Sequence, residues 1–171
     1  MEPPSSNDPR TMVPAPVPAD DEQRLVELRR TGLLDSVPAG AFERVVRSVA
    51  GLLQTPIALI SLVDQDRQWF LARHGLDVPE TARDISLCGH AVASRETLLV
   101  TDTWADPRFS GNPLVTGEPH IRAYLGVPLL GPHGHAVGTL CVLDRQARVF
   151  SAADRQVVER YAKAVQHLIW G

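Results

Sequence analysis

Arg122-Ala123-Tyr124-Leu125-Gly126-Val127-Pro128-Leu129-Leu130 and His135-Ala136-Val137-Gly138-Thr139-Leu140-Cys141-Val142-Leu143 are apolar runs separated by Gly131-Pro132-His133-Gly134. Two such runs around a Gly/Pro turn read as a β-hairpin. In the second run Val137, Thr139, Cys141 and Leu143 alternate with Ala136, Gly138, Leu140 and Val142. Neither set carries a charge, so this strand is expected at the centre of a sheet, covered above and below. A second hairpin is expected upstream. Ile57–Val63 is almost wholly apolar, Asp64-Gln65-Asp66 turns the chain, and residues 67–72 return. Leu98-Leu99-Val100 adds a short strand.

Helices are expected around these strands. Asp20, Asp21 and Glu22 open one that closes with Arg29, Arg30 and Gly32. Acids first, bases last and a glycine stop suit the helix dipole and C-cap. Residues 39–54 set Phe42, Val45, Val46, Val49, Leu52 and Leu53 on one stripe at helical spacing, and Pro56 ends it. Ser86 is placed to cap a short helix over residues 87–94. Ser151 caps the last helix with Asp154 three positions on, a capping-box variant. Its stripe is Val157, Val158, Tyr161, Val165 and Leu168. The order α-α-β-β-α-β-loop-β-β-α, with hairpins in place of βαβ units, predicts an α+β domain. Its antiparallel β-sheet is flanked by helices on both faces.

The 171 residues, 44% apolar and 22% charged, suit one domain with a real core and exclude a collagen-like or coiled-coil chain. Net charge is −3 and no run of five like charges occurs, so no nucleic-acid partner is expected. No run of 18 apolar residues occurs, so no membrane span is expected. Six of the 14 prolines fall before residue 20. Residues 1–19 therefore read as a disordered Pro-rich lead-in without the apolar region of a secretory signal, ahead of one cytoplasmic domain over 20–171. Two cysteines are too few for a disulfide scaffold. The 17 basic residues are Lys163 and 16 arginines, so any bound anion would be held by planar Arg forks. No Gly-x-Ser-x-Gly, Walker A, His-Glu-x-x-His or Gly-x-Gly-x-x-Gly occurs, and no enzyme is expected.

Several residues carry two readings each. Cys88, in the first turn of its helix, is either a reactive thiolate or a small apolar packing residue opposed in ionisation by Asp84. Cys141 is a buried strand residue; whether it lies close enough to Cys88 for a bridge is open. His90 either binds a ligand, metal or haem, or braces the short helix against the loop. His133 and His135 flank a hairpin tip and read as a solvated turn, since two ligands do not make a zinc site. Over 102–124 the long loop carries Asp102, Asp106, Arg108 and Arg122. They form internal ion pairs or offer forks to an anion. Trp104, Phe109 and Tyr124 are aromatic walls or a loop minicore.

Six phrases stand together. They are Asp66-Arg67-Gln68-Trp69-Phe70, Ser86-Leu87-Cys88-Gly89-His90-Ala91-Val92, Asp106-Pro107-Arg108-Phe109 and Asn112-Pro113-Leu114-Val115. The others are Ile121-Arg122-Ala123-Tyr124-Leu125-Gly126-Val127-Pro128-Leu129 and Gly138-Thr139-Leu140-Cys141-Val142-Leu143-Asp144. In this order the chain resembles bacterial GAF domains over about residues 20–170. GAF domains are sensory modules that precede histidine kinases and diguanylate cyclases. The resemblance implies a GAF/PAS-like sheet and a pocket roofed by the short helix and the long loop. Pocket candidates are Trp69, Phe70, Cys88, His90, Asp102, Trp104, Asp106, Arg108, Phe109, Asn112, Arg122, Tyr124 and Cys141, with no metal. The ligand is left open. The Asn-Lys…Phe-x3-Asp-Glu signature of cyclic-nucleotide binders is absent, and Gly89 separates Cys88 from His90 where bilin binders join Cys to His. Neither bilin nor haem is expected.

The resemblance also implies a homodimer through helices 20–31 and 151–170. With the sequence ending at Gly171, a signal is expected to pass in trans or through that dimer to a kinase or cyclase, in two-component or cyclic-di-GMP signalling. Two alternatives stand beside the sensor. One is a thiol-dependent enzyme of the free methionine sulfoxide reductase type, with Cys88 attacking and a resolving partner. The other is a ligand-free regulatory dimerisation module whose pocket is filled by its own side chains.

Overall fold

A computed structural model describes residues 10–171. The element order is α1 (Asp21–Arg30), α2 (Gly40–Leu53), β1 (Ile57–Val63), β2 (Arg67–His74), β3 (Glu80–Ala82), α3 (Leu87–Ser94), β4 (Leu98–Val100), α4 (Pro113–Thr116), β5 (Ala123–Leu130), β6 (Ala136–Asp144) and α5 (Ala152–Trp170). A single 3-10 turn, Thr103–Ala105, sits in the long loop. The six strands form one antiparallel sheet ordered β3-β2-β1-β6-β5-β4. The α+β class and the two hairpins are as the sequence predicts, with β1 and β6 at the centre.

Each face has its own core. Helices α2 and α5 pack Phe42, Val46, Val49, Val158 and Val165 on Ala58, Ile60, Leu62, Leu125 and Val142. The buried positions of α2 are the stripe read from its spacing, except that Leu52 is exposed and Ala50 is buried as well. Ser151 and Asp154 form the reciprocal capping box. Helices α3 and α4 cover the opposite face, over Ile57, Leu59, Val63, Phe70, Tyr124 and Cys141. Two β-bulges change which residues look where. Ile60 pairs with Ala72 and Ser61 with Phe70, leaving Leu71 as the extra residue. Leu129 pairs with Gly138 and Leu130 with Ala136, leaving Val137 extra. Val137 therefore joins the α2/α5 core and Ala136 the other, the reverse of the regular alternation, which holds from Thr139 to Leu143.

The lead-in requires a correction. Residues 1–9 lie outside the described residues, but residues 10–19 are an ordered strap rather than disordered chain. Thr11 N donates to Ser110 Oγ at 3.0 Å, Val13 N to Arg108 O at 2.9 Å and Ala15 N to Asp84 O at 2.9 Å. Pro14, Pro16 and Pro18 occupy the alternate positions, where a missing N–H costs nothing because that edge faces away. The same prolines that make the segment unable to form a core thus suit it to one-sided pairing. The strand β3 is likewise absent from the sequence reading, its three residues showing no apolar alternation.

Helix α1 is anchored by charge as much as by Leu25 and Leu28. Arg24, 1% exposed, donates to Asp21 Oδ1 at 2.8 Å, and Arg83 Nη2 reaches the same oxygen at 2.7 Å. Burial pushes the Asp21 carboxyl up, yet the bonds from Arg83 and Arg24 outweigh it and hold it below the usual carboxylate value. His135, expected in a solvated turn, is instead paired through Nδ1 with Asp20 Oδ2 at 2.7 Å.

Candidate functional site

The α3 side of the sheet leaves a cavity of about 440 Å³. Alternation within each strand aims its walls inward: Ile57 and Leu59 from β1, Gln68 and Phe70 from β2, Tyr124 from β5 and Leu143 from β6. Leu87 and Cys88 of α3 and Leu114 of α4 form the roof. Gly75, Leu76, Asp77 and Val78 lie along the rim with Glu118, Pro119, Ile121 and Arg145. Most of this lining is apolar, and its size lies within the range of ligand pockets.

Local sequence explains the polar groups. Ser86 caps α3 by accepting from Gly89 N, which sets Cys88 in the first turn of the helix. Gly126 follows Tyr124 by two positions on the same face. A Cβ there would stand 2.1 Å from Tyr124 Oη and 2.5 Å from its ring, so glycine lets the ring lie along the strand. Tyr124 Oη then donates to Cys88 Sγ at 3.2 Å and Thr139 Oγ1 donates at 3.1 Å. Cys141 Sγ lies 3.8 Å from the same sulfur, and both cysteines are free. Beside them Ser61 Oγ donates to Gln68 Oε1 at 3.0 Å, and Gln68 Nε2 donates to Thr81 Oγ1 at 2.6 Å.

Burial pushes the Cys88 thiol up. Hydrogen bonding from Cys141, Thr139, Tyr124 and Ser61 more than offsets this and brings it down to about 7. Cys141 moves the other way, raised by burial and by its neighbour Cys88. Burial likewise raises the Tyr124 phenol, with both cysteines adding to it. Of the two sulfurs, Cys88 is thus the one that loses its proton more readily.

Of the residues singled out in the sequence, Phe70, Cys88 and Tyr124 line the cavity, and Cys141 lies directly behind Cys88. Trp69 faces the α2/α5 core instead, one residue out of phase with Phe70. His90 looks outward from α3. Its Nε2 donates to Val13 O at 3.1 Å and its ring meets Phe109 edge-on at 4.8 Å. Burial lowers its pKa and Arg108 adds to that, against the Val13 carbonyl bond. Asn112 caps α4, accepting from Leu114 N, and its Nδ2 donates to Ile85 O.

Both arginine forks close on carboxylates of the loop. Arg122 Nε and Nη2 reach the two oxygens of Asp102 at 3.0 Å each, with the guanidinium 3.6 Å from the Trp104 ring centre. Arg108 Nε and Nη2 reach Asp106 at 3.0 and 2.7 Å. These bonds hold both Asp carboxyls below the usual value. Trp104 and Arg122 border a separate, more open hollow of about 570 Å³ on the outside of the loop. Among the described residues no cluster of three or more His, Cys, Asp or Glu is placed to hold a metal ion. Nor is any helix long and apolar enough to cross a membrane.

Gln68, Thr81, Leu76–Val78, Glu118, Pro119 and Arg145 line the cavity without having been singled out. Gln68 was accessible to reasoning, since it lies two residues from Phe70 and shares its face. The others are brought in by long-range closure.

A family model for the GAF domain matches residues 38–168. A cyclic di-GMP phosphodiesterase of Pseudomonas aeruginosa is 40% identical over 155 residues, 90% of this chain, which spans 26% of that relative's length. The GAF domain of an Acinetobacter phosphoenolpyruvate-protein phosphotransferase superposes with a TM-score of 0.65 at 24% identity, covering 86% of this chain and 92% of that one. A type II free methionine-R-sulfoxide reductase from Thermoplasma acidophilum gives 0.64 at 15% identity, covering 76% and 90%. At these identities the two superpositions speak to fold alone.

Proposed function

Because the chain belongs to the GAF domain family, we propose that its cavity is the binding site of a sensory or regulatory module that takes a small, largely apolar molecule. The observation that carries this is the 440 Å³ cavity, whose apolar walls surround Gln68, Thr81, Tyr124 and Cys88, with the charged Asp77, Glu118 and Arg145 at the rim. Such a lining takes a molecule with an apolar body and one or two hydrogen-bonding groups. The 40% identity to a segment of a cyclic di-GMP phosphodiesterase supports a place in bacterial signalling, with a kinase, cyclase or phosphodiesterase as output. The module acts in trans or through a homodimer made by α1 and α5, whose outer sides expose Val26 and Leu168.

Denaturing extraction of the purified protein followed by mass spectrometry, with a thermal-shift screen of small apolar metabolites, tests the binding reading. A hit should raise the melting temperature of the native chain. It should lose that effect in Val78→Trp, which fills the rim from an already exposed position. A ligand that shifts both proteins equally binds elsewhere. Light scattering tests the dimer: a strict monomer at tens of micromolar removes it.

The reductase alternative draws on the Cys88–Cys141 pair. Turnover of free methionine sulfoxide that is lost in Cys88→Ser selects it over a non-catalytic sensor.

A further inference from the structure

Cys88 and Cys141 are 53 positions apart in sequence, one on the roof helix and one in a central strand, yet their sulfurs lie 3.8 Å apart. A disulfide needs about 2.05 Å, so the two sulfurs must close by roughly 1.8 Å to complete it. Tyr124 Oη and Thr139 Oγ1 already donate to Cys88 Sγ, the bonding a thiolate needs. Cys88 also lines the cavity, although it is only 2% exposed, so a molecule small enough to enter the cavity comes up against this residue. We propose that Cys88 and Cys141 form a reversible oxidation site for hydroperoxides, with Cys88 in the roof of this cavity and Cys141 behind it.

The chemistry balances over two steps. The Cys88 thiolate attacks the terminal oxygen of the hydroperoxide. An S–O bond forms as the O–O bond breaks, and the leaving alkoxide or hydroxide takes a proton, giving an alcohol or water and Cys88 sulfenic acid. The Cys141 sulfur then attacks Cys88 Sγ. The S–S bond forms as the S–O bond breaks, and the departing hydroxide leaves as water with the proton of Cys141. The dithiol loses two electrons and the peroxide gains them. Closure ties α3 to β6 and removes the thiolate acceptor from the Tyr124 and Thr139 hydroxyls. Oxidation therefore changes the polarity of the cavity roof.

The test uses the whole chain, reduced, freed of reductant and exposed to equimolar hydrogen peroxide, then denatured with N-ethylmaleimide and weighed intact. The expected product has lost two hydrogens and both thiols, carries no added oxygen, yields one peptide pair linking Cys88 to Cys141, and reverts with dithiothreitol. Cys141→Ala should stop at a Cys88 sulfenic acid that dimedone traps. In Cys88→Ala, oxidation of Cys141 should slow by roughly tenfold or more, because a raised thiol is a poor nucleophile. Two free thiols in the native chain after peroxide, or a link between chains only, overturn the proposal without reference to any variant. So does a pair that methionine sulfoxide oxidises and hydroperoxide does not. Equal rates in Cys88→Ala and the native chain overturn the role given to Cys88.

Discussion

Replacing Gly138 by alanine should damage the sheet at its centre. Gly138 pairs with Leu62 of β1 on one side and Leu129 of β5 on the other. A Cβ at 138 would lie 1.8 Å from Ser61 O and 3.0 Å from Leu62 Cα. Carbon and oxygen need about 3.3 Å, so β1 and β6 must part by roughly 1.5 Å there. The obstacle is backbone in the middle of a six-stranded sheet, not the free end of a side chain. Weakening two ladder hydrogen bonds at about 1 kcal/mol each, together with overpacking of about 1–3 kcal/mol, gives a loss of about 3–5 kcal/mol. For a chain of this size that is a fall of about 6–20 °C in melting temperature. Gly51, in α2 with nothing within 4 Å of its Cβ position, is the matched control. Alanine there should stabilise by about 0.5–1 kcal/mol, a rise of about 1–4 °C. Calorimetry on the three proteins, with urea titrations to show an unchanged slope, reads both signs. A Gly138→Ala melt within about 2 °C of the native chain would refute the crowding argument.

Asp21→Asn should cost about 3 kcal/mol or more near neutral pH, because it strips Arg24 of its carboxylate. The native Asp21 pKa lies below its unfolded value of 3.8, so its contribution is present above that pH and disappears as pH falls through the folded pKa. The stability gap between variant and native chain should thus be full at about pH 6 and narrow below about pH 4. A constant gap across that range would show that charge is not the cause. Ser151→Ala removes half of the capping box and should cost about 1 kcal/mol in chemical denaturation, an unchanged midpoint excluding the cap as a contributor. Asp102→Ala breaks the Arg122 pair, whose two side chains are partly exposed, and should shift stability by less than about 1 kcal/mol. A larger loss would mean that the long loop depends on Asp102, through this fork or through the bond it accepts from Trp104 N.

Where the sequence reading succeeded and failed follows from what each signal measures. Alternation along β6 placed Thr139, Cys141 and Leu143 on one face because the ladder there is regular. It failed at Ala136 and Val137 because a bulge reverses parity without changing composition. Phe70, Cys88 and Tyr124 were legible through short phrases that hold a strand or a cap in one geometry. Trp69 and Phe70 stand in one phrase, but adjacent strand residues face opposite ways, so Phe70 alone of the two reaches the cavity. Leu76–Val78 and Arg145 carry no local mark, since only closure of the whole chain brings them to the rim. The strap was missed because the prolines were read as composition, and their spacing held the information.

That strap has a mechanical consequence. Its bonds to Arg108, Asp84 and Ser110 lie side by side, and His90 ties Val13 to α3. Tension along residues 11–18 is therefore borne in shear by several bonds at once, in series with the start of α1. A pull on that segment is passed through these bonds to α3 and the long loop as well as to α1, so the chain entering α1 is tied to the helix that carries Cys88.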